Sequence, residues 1–527
     1  MAFEHVRFLS GWFPFEHGAM AMNGTKSTLE IENTGGDFLI LEYAYPCREE
    51  ERGISVAIKI FETPVGDFRG FYSFPFYIGF KIPPFPQPRL PITIEIDQTY
   101  FRTDGKGERR EYGLILFHLE LLHRKRDPDK YRVFEAKVEN LKGHLSKLLN
   151  PCREAQSLPM ALLIEPSSRC NMDCVMCARS IPGHRREDEC DLADEFVAIL
   201  EKSMRGIQAS RIQGLGEPLI SKNFIPLINL LEQNHVHVVT FNTNGYLLDE
   251  EMVQFLVRKG KVFEHFRISF SLDAATKEVY ANIRGKDLNR TLKNLRYLQD
   301  YKRERGVRHP LALINMTLSK TNIKDLPRFI QLAHDLDVEV ELSNLAVDKC
   351  YESIQVRRGD HFMFNYKTEV LTAHPRLYNR YLKKAEQLGN ELDVTIRKAG
   401  EVTYMKEPQA KLVFRFMEIL KKRFNPPQTN GLQSETSNRR DPSYENLPLC
   451  LLPWSQMVIN SHGDISLCCV QGPIDHLRKY RSIEEAWNSE NISRIREMLS
   501  RKIFPQECQL ADCTVKRWNT RVCIVHQ

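Results

Sequence analysis

The chain has 527 residues, 42% hydrophobic and 27% charged, an ordinary globular balance and too long for a single domain. Its net charge is +6 from 74 basic and 68 acidic groups, with no basic tail, zinc-finger helix or RNA-binding signature, so no nucleic-acid partner is expected. The opening MAFEHVRFLSGWFPFEHGAM has an early glutamate and no apolar h-region, and no window approaches the ~18 apolar residues of a membrane span, so a cytoplasmic chain without a membrane partner is expected.

Residues 1–122 read as an N-terminal β-sandwich-like module. The runs STLEIEN, ISVAIKIFET, ITIEIDQTYF and YGLILFHLEL alternate in polarity between Gly, Pro and Asn punctuation. The aromatic run FRGFYSFPFYIGFKIPPFP at 68–86 reads as core and strand-edge aromatics. Residues 123–158 come next as a linker or helix, with HRKRDPDKYR as its solvated start.

From 159 the period changes. ALLIE is a short buried strand, followed by a cysteine loop and the helix LADEFVAILEKSM. SRIQ, VHVVTF, FRISFS, LALINMTLS and VEVELSN then alternate with helical segments. Six such units predict a parallel α/β sheet with right-handed crossovers, a partial (β/α)6 TIM-like barrel over 159–350. Residues 351–446 predict a helical insertion, with YNRYLKKAEQLGNEL and AKLVFRFMEILKKRF as its best helices, ending in a polar mobile loop. A cysteine-rich domain occupies 447–527, where CLLPWSQMVINSHGDISLCC predicts a hairpin turning at SHGD.

The thirteen cysteines are uneven. Cys47, Cys152, Cys190 and Cys350 are scattered and read as small buried hydrophobes. Cys170, Cys174 and Cys177 form C-x3-C-x2-C directly after the first strand. In a reducing compartment such a cluster points to metal or catalysis rather than disulfides. A structural zinc closes with four ligands, whereas three thiolates on a [4Fe–4S] cube leave one iron open.

On these residues the chain resembles the radical S-adenosylmethionine (SAM) enzymes, over roughly 159–345. The resemblance implies that Cys170, Cys174 and Cys177 hold a [4Fe–4S] cluster whose fourth iron is chelated by SAM. GLGEP (214–218) is similar to the family's Gly-Gly-Glu-Pro motif, with Leu215 in place of one glycine. It implies that Gly216 and Glu217 meet the methionine amine. TNG (243–245) ends the third strand and SLDA (271–274) the fourth, and Ser271 is implied as a ribose contact. In IRG (283–285), Arg284 is implied to meet a carboxylate, and Met176 stands where the family has an aromatic beside the adenine. Taken singly, GLGEP and TNG read as turns and SLDA as a helix N-cap formed by Asp273.

The C-terminal cysteines resemble a SPASM domain or its shortened twitch form. Six cysteines are too few for two fully ligated cubes, so one auxiliary [4Fe–4S] cluster on Cys450, Cys468, Cys508 and Cys513 is implied. The family's final C-x2-C is C-x4-C here, which makes Cys523 a substitute ligand, and a zinc ion in the same cysteines is the alternative. The implied activity is reductive SAM cleavage by a low-potential donor, ferredoxin or flavodoxin, followed by hydrogen abstraction from a peptide or protein. A small or carbohydrate-linked molecule as substrate, or a non-catalytic Fe–S or zinc scaffold, are the alternatives.

Overall fold

The computed structural model describes most of residues 3–509; 399–449, 510–527 and short stretches such as 45–53, 71–75, 104–108 and 182–187 lie outside the described residues. The N-terminal module is a two-stranded pair, Tyr100–Thr103 with Arg109–Tyr112, and two antiparallel five-stranded sheets. One orders its strands Val6–Ser10, Lys26–Glu32, Arg89–Ile96, Ile54–Ile60, Thr63–Gly70. The other orders Trp12–Pro14, Met20–Met22, Ile115–Leu122, Phe38–Ala44, Phe76–Lys81. The alternation in KSTLEIE buries Ser27, Leu29 and Ile31 and leaves the intervening residues half-exposed. Leu29, Ile58 and Ile92 of the first sheet and Leu41, Ile78 and Leu116 of the second belong to one apolar core.

After the sandwich the chain forms a 22-residue helix, Pro128–Leu149, the second of the two forms expected for 123–158. Tyr131, Phe134 and Val138 cover Phe38, Ile40 and Leu122 on the outer face of the sandwich. Lys137, fully buried, donates from Nζ to the carbonyls of Ile207 at 2.9 Å and His235 at 2.6 Å, and Asn140 donates to Gly206 O at 2.9 Å. The helix is therefore amphipathic in two directions, apolar toward the sandwich and hydrogen-bonded to loops at the N-terminal edge of the barrel sheet.

The barrel has the six expected strands, Ala161–Ile164, Ala209–Ile212, Val238–Thr243, His265–Ser271, Leu311–Leu318 and Glu339–Asn344. Each pairs in parallel with the next. Helices such as Phe224–Gln233, Glu250–Lys259, Leu288–Glu304 and Leu326–Leu336 return the chain between strands. Asp249 and Asp287 cap two of them, accepting from Met252 N at 2.9 Å and Asn289 N at 3.1 Å.

The parallel sheet is wider than six strands. Ile396–Lys398 adds in parallel outside the sixth, and Gln456–Ile459 adds in parallel outside the first. The segment expected to be helical holds the helix Pro375–Glu391, but also the hairpin Gln355–Arg358/Phe362–Asn365 and that edge strand. A three-residue strand shows no alternation to read. The second helix expected there, AKLVFRFMEILKKRF, lies outside the described residues. In the C-terminal region Gln456–Ile459 and Asp464–Ser466 form the expected hairpin. Its turn is Asn460–Gly463, closed by Gly463 N to Asn460 O at 2.9 Å, with Gly463 at φ +85° against the ring of Phe196. The hairpin's first arm is thus also a barrel-sheet strand.

Candidate active site

The first barrel strand ends at Ile164, Glu165 follows it, and residues 166–181 form the cysteine loop at the C-terminal edge of the sheet, where parallel α/β sheets bind ligands. The loop is laced to the segment after it. Ser168 N donates to Cys190 O and Cys190 N to Ser168 Oγ, both at 2.9 Å. Arg169 pairs with Asp191 at 2.7 Å, and Arg179 pairs with Glu189 at 2.7 Å while donating to Ser168 O across the loop. Inside it, Cys177 N donates to Cys174 O at 3.1 Å and Ser180 Oγ to the same carbonyl at 2.9 Å.

Cys174 is buried, and Cys170 and Cys177 are half-buried. Burial pushes the Cys170 thiol up to about 12 and raises Cys177 as well, with neighbouring Cys174 adding to both. Cys170 and Cys177, which resist ionisation alone, are stabilised as thiolates by a cationic metal centre, so the donor set of Cys170, Cys174 and Cys177 fits one.

The GLGEP loop packs directly on this one. A Cβ on Gly216 would lie 2.1 Å from Ser167 O, so only glycine permits that approach. Gly214 meets the Glu165 carboxylate in the same way. Glu217 is buried and fully engaged: it accepts from Thr243 Oγ1 at 2.7 Å, Asn244 N at 2.8 Å and Leu219 N at 3.2 Å. Burial raises its pKa, and those donors oppose the shift. Asn244 Nδ2 donates to Asn171 Oδ1 at 2.8 Å, which closes the circuit back to the cysteine loop. Glu217 therefore fastens the second and third strand ends together.

At the fourth strand end, Asp273 does not cap the following helix. It sits at φ +61° with Oδ1 accepting from Thr317 N at 2.7 Å, and its carboxylate pairs with Arg284. The helix Lys277–Arg284 is preceded by Thr276, and Asp325 Oδ2 takes Ala275 N at 2.7 Å and Thr276 N at 2.9 Å. Arg284 also donates to Cys174 Sγ at 3.3 Å. Burial works against its charge, but Asp273 and Cys174 outweigh that and hold its pKa above the ordinary value. The carboxylate that Arg284 meets is thus the protein's own. Ser271 is half-buried at the end of the fourth strand. Met176 is buried in an apolar cluster with Val175, Ile283, Ile354 and Phe364.

Sequence reasoning passed over Glu165, whose Oε1 accepts from Leu215 N at 2.5 Å and whose Oε2 accepts from Ser461 N at 3.1 Å and Oγ at 3.2 Å. Its signal was an acid closing an apolar strand. Cys190, read as a plain buried residue, is half-buried with Sγ 3.3 Å from His462 Nδ1 in the hairpin turn. Near the C-terminus, Gln471 links two expected ligands: its N donates to Cys468 O at 3.4 Å and its Nε2 lies 3.9 Å from Cys508 Sγ. Cys450, Cys468 and Cys508 are half-buried. Cys513 and Cys523 lie outside the described residues.

Residues 164–333 match the family model of the radical SAM superfamily, and residues 450–514 match that of an iron–sulfur cluster-binding domain, SPASM. The chain carries a radical SAM domain followed by a SPASM domain. Such domains imply SAM, a [4Fe–4S] cluster and auxiliary iron–sulfur binding.

Curated relatives include a probable GTP 3′,8-cyclase of Methanocaldococcus jannaschii, 26% identical over 36% of this chain and 59% of that one. The tungsten-containing aldehyde ferredoxin oxidoreductase cofactor-modifying protein of Pyrococcus furiosus is 27% identical over 35% of this chain and 51% of that one. The PqqA peptide cyclase of Granulibacter bethesdensis is 27% identical over 36% and 47%. The chain thus spans about half the length of the curated relatives it matches. Among solved structures, Streptococcus suis SuiB bound to S-adenosylmethionine aligns with a TM-score of 0.45 at 16% identity, covering 76% of this chain and 90% of that one. BtrN in complex with AdoMet and 2-DOIA aligns at 0.30 and 14%, covering 68% and 94%.

Proposed function

We propose that this chain is a radical SAM enzyme that abstracts hydrogen from a peptide or protein substrate. The observation that carries the reaction class is the placement of Cys170, Cys174 and Cys177 on one loop against GLGEP, braced by Glu217, Thr243 and Asn244 at adjacent strand ends. Cys170, Cys174 and Cys177 would hold the SAM-binding cluster. Gly216 and the backbone around it would cradle the methionine end of SAM, with Glu217 fixing that backbone. Ser271 would face the ribose and Met176 lie beside the adenine. Arg284 serves as a positioning residue, orienting Cys174 through its ion pair with Asp273. Cys450, Cys468, Cys508 and Cys513, with Cys523 as substitute, would hold an auxiliary cluster. When bound, the cluster and SAM supply one-electron cleavage of SAM to methionine and a 5′-deoxyadenosyl radical, driven by a low-potential ferredoxin or flavodoxin.

A peptide substrate is supported by the PqqA peptide cyclases among the relatives. The GTP 3′,8-cyclases support the second reading, a small molecule. The test is anaerobic reconstitution with iron and sulfide, then dithionite and SAM. The expected result is 5′-deoxyadenosine, lost in Cys174→Ala, with about eight irons per chain for two cubes. An undiminished yield in the variant would falsify the enzymatic reading. Stimulation of 5′-deoxyadenosine formation by a peptide fraction of cell extract, with a mass change in one peptide, supports the first substrate class; stimulation by the small-molecule fraction alone supports the second.

A further inference from the structure

Beside the cysteine loop lies a basin of about 760 Å³, lined by Lys277, Gly285, Lys286, Asp287, Arg357 and Arg358 among others. Four cations face one carboxylate there, and that carboxylate already caps the helix Leu288–Glu304 by accepting from Asn289 N at 3.1 Å. Lys277, Lys286 and Arg357 are exposed. Beyond the lining, Arg290 stacks 4.3 Å over the ring of Tyr246, which Lys286 also approaches at 6.0 Å. Positive charge therefore continues along the surface.

The floor of the basin touches the cluster loop by two routes. Arg358 donates to the carbonyl of Asp173, the residue before Cys174. Gly285 follows Arg284, which donates to Cys174 Sγ at 3.3 Å. Gly285 has φ +72°, and a Cβ there would lie 2.1 Å from the Arg358 guanidinium, so the two walls meet in contact. Apolar packing of Val175, Met176 and Ile181 against Ile283, Ile354 and Phe364 fixes the hairpin that carries Arg357 and Arg358 onto the same loop.

We propose that this basin docks the acidic one-electron carrier protein that reduces the cluster held by Cys170, Cys174 and Cys177. One electron leaves the reduced flavin or iron–sulfur centre of the carrier, and the cluster gains it; no proton or group moves. Lys277, Lys286 and Arg357 are exposed with no ion-pair partner among the described residues, and Arg358 beside them reaches the carbonyl of Asp173, the neighbour of Cys174; the basin thus matches an acidic redox protein in charge and brings its electron source close to the acceptor. The inference rests on the radical SAM reading.

The test uses the full-length reconstituted chain and a bacterial flavodoxin. Binding is measured by calorimetry at about 50 and 300 mM salt for wild type and for Lys277→Glu/Lys286→Glu/Arg357→Glu. Wild type is expected to lose affinity with salt, and the triple variant to bind roughly tenfold or more weakly at low salt with little salt dependence left. Dithionite-driven 5′-deoxyadenosine formation is expected to be unchanged in the variant, while flavodoxin-driven formation falls. Equal flavodoxin affinity in variant and wild type overturns the proposal. So does a variant that keeps flavodoxin binding but loses the response to an acidic substrate fraction, which makes the basin a substrate site. Failure of wild type with dithionite overturns the radical SAM reading instead and leaves the binding measurement readable.

Discussion

Glu165 and Ser461 stand 296 positions apart in the chain and are joined at two points, Oε2 accepting from Ser461 N at 3.1 Å and from Oγ at 3.2 Å. The other carboxylate oxygen takes Leu215 N of the GLGEP loop at 2.5 Å. One buried carboxylate thus ties the C-terminal hairpin turn to the loop proposed to cradle the methionine end of SAM. Glu165→Gln must turn an NH2 toward at least one of these donors. A stability loss of about 1.5–3 kcal/mol is expected, with SAM affinity lowered roughly tenfold. Denaturation and equilibrium dialysis with labelled SAM check both; lost stability with unchanged affinity would sink the coupling.

Gly216 is enclosed by backbone: its missing Cβ would meet Ser167 O at 2.1 Å, Arg169 O at 2.6 Å and Ser168 C at 2.7 Å. None of these is a flexible side-chain tip that can move aside. Gly216→Ala is expected to cost at least ~3 kcal/mol and to abolish SAM binding, whereas Gly472→Ala, with nothing within 4 Å, stays within ~0.5 kcal/mol of wild type. Parallel urea unfolding of the two variants decides it.

Arg284 and Asp273 form a buried pair, with Asp273 fully inaccessible. Arg284→Met strands the carboxylate, and a loss of about 3–5 kcal/mol is expected. Adding Asp273→Asn removes the stranded charge while keeping an acceptor for Thr317 N, so the double variant is expected to recover about 1–3 kcal/mol of that loss. Additive losses in a double-mutant cycle would contradict a direct pair.

His144 lies inside the helix Pro128–Leu149, and burial lowers its pKa to about 4. The unfolded chain takes up that proton near pH 6.5 and the folded chain does not, so stability is full above pH 6.5 and falls as pH drops toward 4. For this one group the loss from pH 7.5 to 5 is about 2 kcal/mol. His309, also lowered to about 4 by burial, adds its own share. His144→Gln is expected to shrink the measured difference between unfolding free energies at the two pH values by that amount, and an undiminished difference would exclude His144 as the source.

The sequence by itself determined what local chemistry and periodicity can determine. Alternation of polarity marked the sandwich, because a strand's side chains repeat every two residues, and short apolar runs between helical segments marked the six parallel strands, because a parallel strand is buried on both faces. Spacing alone put Cys170, Cys174 and Cys177 on one loop. Tertiary structure decided everything that depends on distant segments meeting. Gln456–Ile459 became a strand of the barrel sheet because it pairs in parallel with Ala161–Ile164, and nothing in its four residues names that partner. Arg284 found its carboxylate in Asp273, and Glu217 its donors in Thr243 and Asn244, since loops at neighbouring strand ends converge only once the sheet is assembled. The basic basin is of the same kind: Lys277, Lys286 and Arg357 are ordinary surface charges in the chain, and only the fold sets them together beside the cysteine loop.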